Sequence, residues 1–331
     1  IIAGTIVYAC GLALMAYADS VFLLMLSGGL LMGLGIAMTS FSVIMASFAR
    51  LVPPEKRSWS FGIATAASSM GQFVFAPLGQ AFISGFGWQM ALLLLAGSVL
   101  FMFALVLPLR AARGGVAKDE TELEMNMSEA LSRAMGNTSF VLLTLGFFVC
   151  GFHVVFYAVH LPPFVADQGL DPMVGVIALT VVGIGNLIGT YLSGWWGQRY
   201  PKHWGLSFIY FMRAVIFIGF LYLPITPEFV IGASALLGIF WLSTIPLTSG
   251  LVATFFGPKW MTMLYGIVFF SHQVGSFFGA WLAGYVFDQT QSYNVVWWIS
   301  VALGLFAALV HIPIREAAVP RLAGGAIKPA E

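Results

Sequence analysis

The residues of this chain that can do chemistry are few, and they stand inside apolar stretches. Arg213 lies about nine residues into a run that starts near Trp204, roughly 14 Å along a helix. A guanidinium at the bilayer midplane costs about 2.5–3.5 kcal/mol to insert, so it must face protein, water or a partner. No Asp or Glu stands at matching depth in any apolar run. The partner is left open between a bound carboxylate, helix carbonyls and a residue outside the chain. His153, Tyr157 and His160 recur at i, i+4 and i+7, which is one face of a helix. An imidazole titrates near neutrality and can carry a proton or donate to an anion. His160, beside Pro162, reads as a cap on the outer end of that helix. His272-Gln273 is a polar step in the middle of run 262–287, and Asn186 is the strongly polar group inside run 172–196. Ser243, Thr244 and Thr248 punctuate run 228–255, where hydroxyls are common packing groups.

These residues need a scaffold, and composition limits what it can be. Of 331 residues, 60% are apolar and 8% are charged, with mean hydropathy +0.95. Soluble domains carry about 25% charged residues, so a soluble globular fold is excluded. Fourteen basic and thirteen acidic residues net to +1, which excludes the concentrated basic face that nucleic acid requires. Cys10 and Cys150 lie in apolar runs and read as buried thiols, not as a disulfide or metal site. No G-x-x-x-x-G-K-S/T, G-x-S-x-G or H-E-x-x-H pattern occurs, so no primary pump, serine hydrolase or zinc protease is indicated. No enzyme, cofactor or metal is called for.

Ten apolar runs cover roughly 1–18, 21–49, 60–84, 88–109, 139–160, 172–196, 204–224, 228–255, 262–287 and 293–313. Each is long enough to cross about 30 Å of hydrocarbon as a helix. A helix is required because an open strand edge leaves peptide groups unpaired in lipid. Thirteen of the fourteen basic residues, all but Arg213, fall in alternate loops or the tail. The positive-inside rule makes those loops cytoplasmic. Trp88, Trp297 and Trp298 stand near helix ends, as interfacial anchors do. The hydrophilic stretch 110–137 divides residues 1–109 from 138–314, with a cytoplasmic tail at 315–331. Within it, Ser128-Glu129 and Gly136 predict a short surface helix.

The chain also repeats itself. At an offset of 204 residues Gly28 meets Gly232, Pro54 meets Pro258, Gly62-Ile63 meets Gly266-Ile267, and Gly71 meets Gly275. Thr39-Ser40 meets the similar Ser243-Thr244. The first four helices thus pair with the last four. Helices 139–160 and 172–196 then need counterparts before Ile1, which predicts a piece of a protein with two halves of six helices. Parallel six-helix halves are one organisation of secondary transporters.

Gly194-Trp195-Trp196-Gly197-Gln198-Arg199-Tyr200-Pro201-Lys202 resembles the loop motif G-x-x-x-D-R-x-G-R/K of the major facilitator superfamily. Gly194, Arg199 and Lys202 match; the acid of the pattern is missing from Gly197-Gln198. Gly29, Gly33 and Gly35 resemble its glycine-rich fourth helix, and Gly71 to Pro77 with Gly87-Trp88 its fifth. His160-Leu161-Pro162-Pro163-Phe164, Phe240-Trp241-Leu242-Ser243-Thr244 and Ser271-His272-Gln273-Val274-Gly275 are similar to the bacterial monocarboxylate-transporter-like branch.

That resemblance implies an all-α membrane fold of two pseudo-symmetric bundles, with ten of twelve helices present, the third to the twelfth. It implies a central cavity lined here by 21–49, 139–160 and 228–255, and alternating access of two bundles. Gly185/Gly189 and Gly275/Gly279 have the spacing of close helix seams. The basic residue and the Asp/Arg pair of well-known branch members have no match here, so their coupling is not carried over. The expected function is secondary transport of a small, monocarboxylate-like organic anion across the plasma membrane, with a proton as candidate coupling ion. Drug or metabolite efflux on the same fold is the alternative. The expected substrate-binding residues are Arg213, His153, Tyr157, Asn186, His272 and Gln273, with a gating loop at Gly194, Gly197 and Arg199.

Overall fold

The computed structural model describes residues 1–111, 126–257 and 260–319. Most of the charged linker, residues Pro258 and Lys259, and the tail with Arg321 and Lys328 lie outside the described residues. Among those described the chain is helical throughout, without strands. In order, α1 (Ile2–Met15), α2 (Val21–Leu24), α3 (Met32–Met38), α4 (Phe41–Leu51), α5 (Arg57–Leu100) and α6 (Met102–Ala111) precede the linker. After it come α7 (Met127–Gly136), α8 (Thr138–Asp167), α9 (Pro172–Arg199), α10 (Lys202–Tyr222), α11 (Pro227–Phe240), α12 (Thr244–Phe256), α13 (Met261–Thr290) and α14 (Asn294–His311). A π-helical stretch, Met25–Leu31, joins α2 to α3. Seven described segments are long and apolar enough to cross a membrane, including α8, α9, α10, α14 and the combined Pro227–Phe256.

Local chemistry sets the helix starts. Asn137 accepts from the Phe140 amide at 2.9 Å, Asp171 from Met173 at 2.8 Å and Thr226 from Phe229 at 3.2 Å. Each satisfies an amide that a first turn leaves orphaned. Pro172 and Pro227 follow two of these caps, where a missing N–H costs nothing. The surface helix forms as α7, but its cap is Asn126, two residues ahead of the expected Ser128.

The repeat is visible in the backbone. The helix of run 21–49 breaks between Met38 and Phe41, and that of run 228–255 breaks between Phe240 and Thr244, within two residues of the same register. Gly87 holds φ +78° inside α5, and Gln291, 204 residues on, holds φ +53° at the end of α13. Left-handed backbone suits glycine and strains other residues. Both positions carry a positive φ, but their ψ angles differ, +165° at Gly87 and +30° at Gln291, so the two corners are built differently.

The described residues fall into two compact units. One holds residues 1–51 and those described from 70 to 111; the other holds 52–69 and those described from 126 onward. In the first, α1 packs on α3 so closely that a methyl on Gly35 would lie 2.6 Å from Tyr8 Cα. In the second, α8 pairs with α13, α9 with α11 and α10 with α14. Glycines make the first two seams. A methyl on Gly275 or Gly279 would run into the carbonyl oxygen of Phe148 or Phe152. One on Gly185 would lie 2.6 Å from the Ala235 oxygen, and one on Gly189 would overlap Ile239. Lipid is as apolar as a leucine side chain, so close van der Waals packing replaces the hydrophobic drive of water.

Three expectations change here. Trp298 (49% exposed) and Trp88 (55%) face outward, but Trp297 is buried. It stacks on Phe220 at 4.7 Å and meets Phe156 edge-on at 4.7 Å, because its helix face points at α8 and α10. Cys10 is exposed on α1, not buried; Cys150 is buried, and both thiols are free. His160 does not end its helix: α8 continues through Pro162 and Pro163 to Asp167, and the imidazole Nε2 reaches the Ala280 carbonyl at 2.9 Å.

Gly275→Val should force α8 and α13 apart and destabilise the protein by about 1–3 kcal/mol. Gly183→Ala, whose methyl meets nothing within 4 Å, should leave stability unchanged or slightly raised. Thermal unfolding in detergent, monitored by aggregation on a sizing column, separates the two.

Candidate functional site

Arg213 and Asn186 of the second unit converge on the break between α11 and α12. Pro246 has no N–H to give to the Leu242 carbonyl one turn back, and a three-residue turn forms instead, with the Ile245 amide on the Leu242 oxygen at 2.9 Å. A break in mid-span frees backbone groups that hydrocarbon cannot satisfy. Arg213 on α10 takes the acceptors. Its Nε donates to the Phe240 carbonyl at 3.0 Å, and Nη2 donates to Phe240 at 2.6 Å and also to Trp241. Asn186 on α9 takes a donor: its Oδ1 accepts from the Leu242 amide at 3.0 Å. The buried arginine thus has helix carbonyls as partners. Its side chain is buried, its Nη1 has no hydrogen-bond partner, and it forms no ion pair among the described residues. Arg213 Nη2 also lies 3.6 Å from the Cys150 sulfur, which is 3.3 Å from Thr244 Oγ1.

The other predicted residues have internal partners too. His153 Nε2 donates to the Ser300 carbonyl at 2.9 Å, and its ring meets Phe217 edge-on at 4.8 Å. Tyr157 donates to Ser234 Oγ at 2.7 Å; the Ser234 proton already goes to the Val230 carbonyl. Both residues are buried inside the bundle, toward α10, α11 and α14. His272 is buried against Phe147 and Phe269 and lies 3.1 Å from Gln273 Oε1, while Gln273 is exposed. The structure therefore brings Arg213 and Asn186 together at the break, sets His153 and Tyr157 in one aromatic cluster, and leaves Gln273 apart from both. An apolar cavity of about 210 Å³ runs beside α9 and α10, lined by Gly189, Ser193, Phe208, Phe240 and Leu247 among others. None of the predicted substrate-binding residues lines it.

In the expected gating loop, Gly194 lies against Gly62 so tightly that a methyl would sit 2.8 Å from the Gly62 Cα. Gly197 faces Leu247 and Ser58. Arg199 is exposed, with its guanidinium 4.6 Å from the centre of the Trp195 ring. Sequence reasoning missed the buried hydroxyls of Tyr210 and Tyr265, and it read Thr248 and Cys150 as packing groups; the three hydroxyls have no hydrogen-bond partner. Tyr210 stands one turn before Arg213, close enough to have been found; the others are distant in the chain.

Residues 1–280 match the family described as the Major Facilitator Superfamily. Monocarboxylate transporter 13 of Rattus norvegicus is 29% identical over 332 residues, covering 95% of this chain and 72% of that protein. Monocarboxylate transporter 12 of Xenopus laevis is 26% identical over 340 residues, covering 94% and 72%. The structure of the fucose:proton symporter FucP of E. coli superimposes with a TM-score of 0.71 at 16% identity, covering 94% of this chain and 82% of that one. The fold and the site define a helical membrane transporter with a discontinuous helix pinned by a buried cation. The chain belongs to the Major Facilitator Superfamily, whose work is transport and not covalent catalysis.

Arg213→Met should leave the Phe240 and Trp241 carbonyls unpaired, at about 1–3 kcal/mol each. Amide hydrogen exchange across 240–246 should rise, and the unfolding temperature should fall. An arginine serving only an external anion would leave exchange in that segment at the wild-type rate.

Proposed function

We propose that this transporter moves a small organic anion of the monocarboxylate class by alternating access, with a proton as the coupled ion. The observation that carries the reading is the buried guanidinium of Arg213, which meets carbonyls and a thiol but no carboxylate among the described residues. A charge in a low-dielectric bundle acts over a long range, so an uncompensated cation favours an anion nearby. The two relatives named above as monocarboxylate transporters support the same class.

In this reading Arg213 and Asn186 hold the broken helix, and the free Nη1 gives the site its positive field. His272 and Gln273 are the polar groups of α13 that adjoin the path, and His153 and Tyr157 support it from inside the bundle through Ser300 and Ser234. Gly194, Gly197 and Arg199 belong to a cytoplasmic gate. Residues 1–109 and 138–314 are the two bundles, joined by a cytoplasmic linker at 110–137, and the C-terminus is cytoplasmic. The plasma membrane is the proposed location.

The test is uptake by the purified protein in proteoliposomes, with a panel of radiolabelled short monocarboxylates. An imposed difference of about one pH unit is worth about 1.4 kcal/mol, enough for about tenfold accumulation at one proton per anion. Uphill uptake of an anion only with the acid side outside is the expected result. Absence of anion uptake, with export of an amphiphilic dye, would instead make the protein an efflux carrier.

A further inference from the structure

The cytoplasmic loop between α9 and α10 carries a basic residue at Lys202 but no acid in its own sequence. The structure brings an acid to it from elsewhere. After α14 the chain turns at Ile312 and Pro313 and runs back across the end of the second unit. Ile314 is buried, the Arg315 amide donates to Ser139 Oγ at 3.0 Å, and the Val319 amide donates to the Phe255 carbonyl at 3.0 Å. Between these two anchors sits Glu316. Its Oε1 accepts from the His203 amide and from His203 Nδ1, both at 2.9 Å. Its Oε2 faces Lys202 Nζ at 3.5 Å.

The chemistry of α10 explains why this carboxylate is wanted. The residue before the helix is Pro201, which makes no side-chain cap. The first-turn amides are left orphaned at the positive end of a 21-residue helix. Glu316 supplies the missing cap and a countercharge from 113 residues away. The three side chains are 16–19% exposed, so water screens the group only in part. The stem of Lys202 continues the contact inward. A methyl on Gly250 would meet Lys202 Cε and Ser58 Oγ at 3.0 Å each. One strap thus ties the starts of α8 and α10 to the end of α12, beside the segment that carries Ser58.

We propose that Glu316 is a positioning residue of the transport cycle: it supplies the acid that the α9–α10 loop lacks and locks the cytoplasmic ends of the second unit into one body. Rigid-body motion of a bundle requires that its helix ends move together. Without the lock, the corner at 200–203 loosens and the conformational step slows. The substrate is held elsewhere, so its affinity is unaffected. The rate part of this proposal rests on the transporter reading; the lock itself does not.

The experiment compares the full protein with Glu316→Gln, Glu316→Asp and the charge swap Lys202→Glu with Glu316→Lys, all reconstituted in liposomes. Amide hydrogen exchange needs no substrate. Glu316→Gln should raise it about tenfold across 202–205 and 314–319, the loss expected for a charge-assisted hydrogen bond. In transport of a monocarboxylate that the wild type carries, Glu316→Gln should lower the maximal rate about tenfold and leave KM within about twofold. Glu316→Asp and the swap should each recover part of the rate, since Glu at position 202 would itself lie in the first turn of α10. If Glu316→Gln fails to insert, the swap decides: recovery of insertion and rate supports the lock, and no recovery overturns it. Unchanged exchange overturns the lock whatever the substrate proves to be. Faster exchange with an unchanged rate per folded molecule makes the contact merely structural and overturns the positioning role. Wild-type failure to carry any monocarboxylate, with exchange raised in Glu316→Gln, would count against the substrate class and not against the lock.

Discussion

A helix that breaks inside a membrane must find partners for the backbone groups it exposes, and much of the second unit is organised around that need. The break at Trp241 to Ser243 follows from Pro246, which removes a donor that an unbroken helix would use. Arg213 and Asn186 divide the work by chemistry: the guanidinium has only donors to give, and the amide oxygen accepts. The guanidinium, which has no acceptor, could not replace the amide oxygen. Because each comes from a different helix, the break ties α9, α10 and α11–α12 into one unit. The glycine seam of α9 serves the same end. Gly185 and Gly189 let α11 approach until Asn186, which stands between them, can reach the Leu242 amide.

The same interaction shapes the electrostatics. Carbonyl dipoles stabilise a guanidinium but do not cancel its charge. Burying a cation without a carboxylate is costly, and a purely structural clamp could be built more cheaply from a neutral amide. Retention of a full charge inside the bundle is the motive for the proposed anion substrate. It also explains why the nearest sulfur, on Cys150, matters: a polarisable thiol beside Arg213 Nη2 is a better neighbour than a methyl group.

How much of this was legible beforehand varies residue by residue, for physical reasons. The all-helical class, the 204-residue repeat and the glycine seams were readable, because lipid imposes helices and small residues mark close approach; of the ten expected spans, seven described segments are long and apolar enough to cross. That Arg213 must be buried with partners was readable from its position in the run. Its partner was not, since the carbonyls of Phe240 and Trp241 become acceptors only once the helix breaks, and that depends on tertiary packing. Three hydrogen-bonding residues at helical spacing suggested a face turned to a cavity. His153 and Tyr157 instead face the bundle interior, because the face of a helix that looks inward is not determined by its own sequence. Trp297 misled for a related reason: a tryptophan near a helix end is an anchor only if its side of the helix meets lipid, and Phe156 and Phe220 claim this one.

Glu316 marks the limit of local reasoning. A sequence motif assigns an acid by its distance from an arginine in the chain, but the physical requirement is only that a carboxylate reach the orphan amides and Lys202. The chain meets that requirement with a residue from beyond α14. A missing motif acid is then a change of address and not a loss of the interaction. The change has a mechanical consequence. An acid inside the loop would fix the loop alone, whereas an acid on a strap anchored at Ser139 and Phe255 couples the loop to the start of α8 and the end of α12. Moving one carboxylate along the chain thus converts a local turn constraint into a constraint on how the helix ends move together.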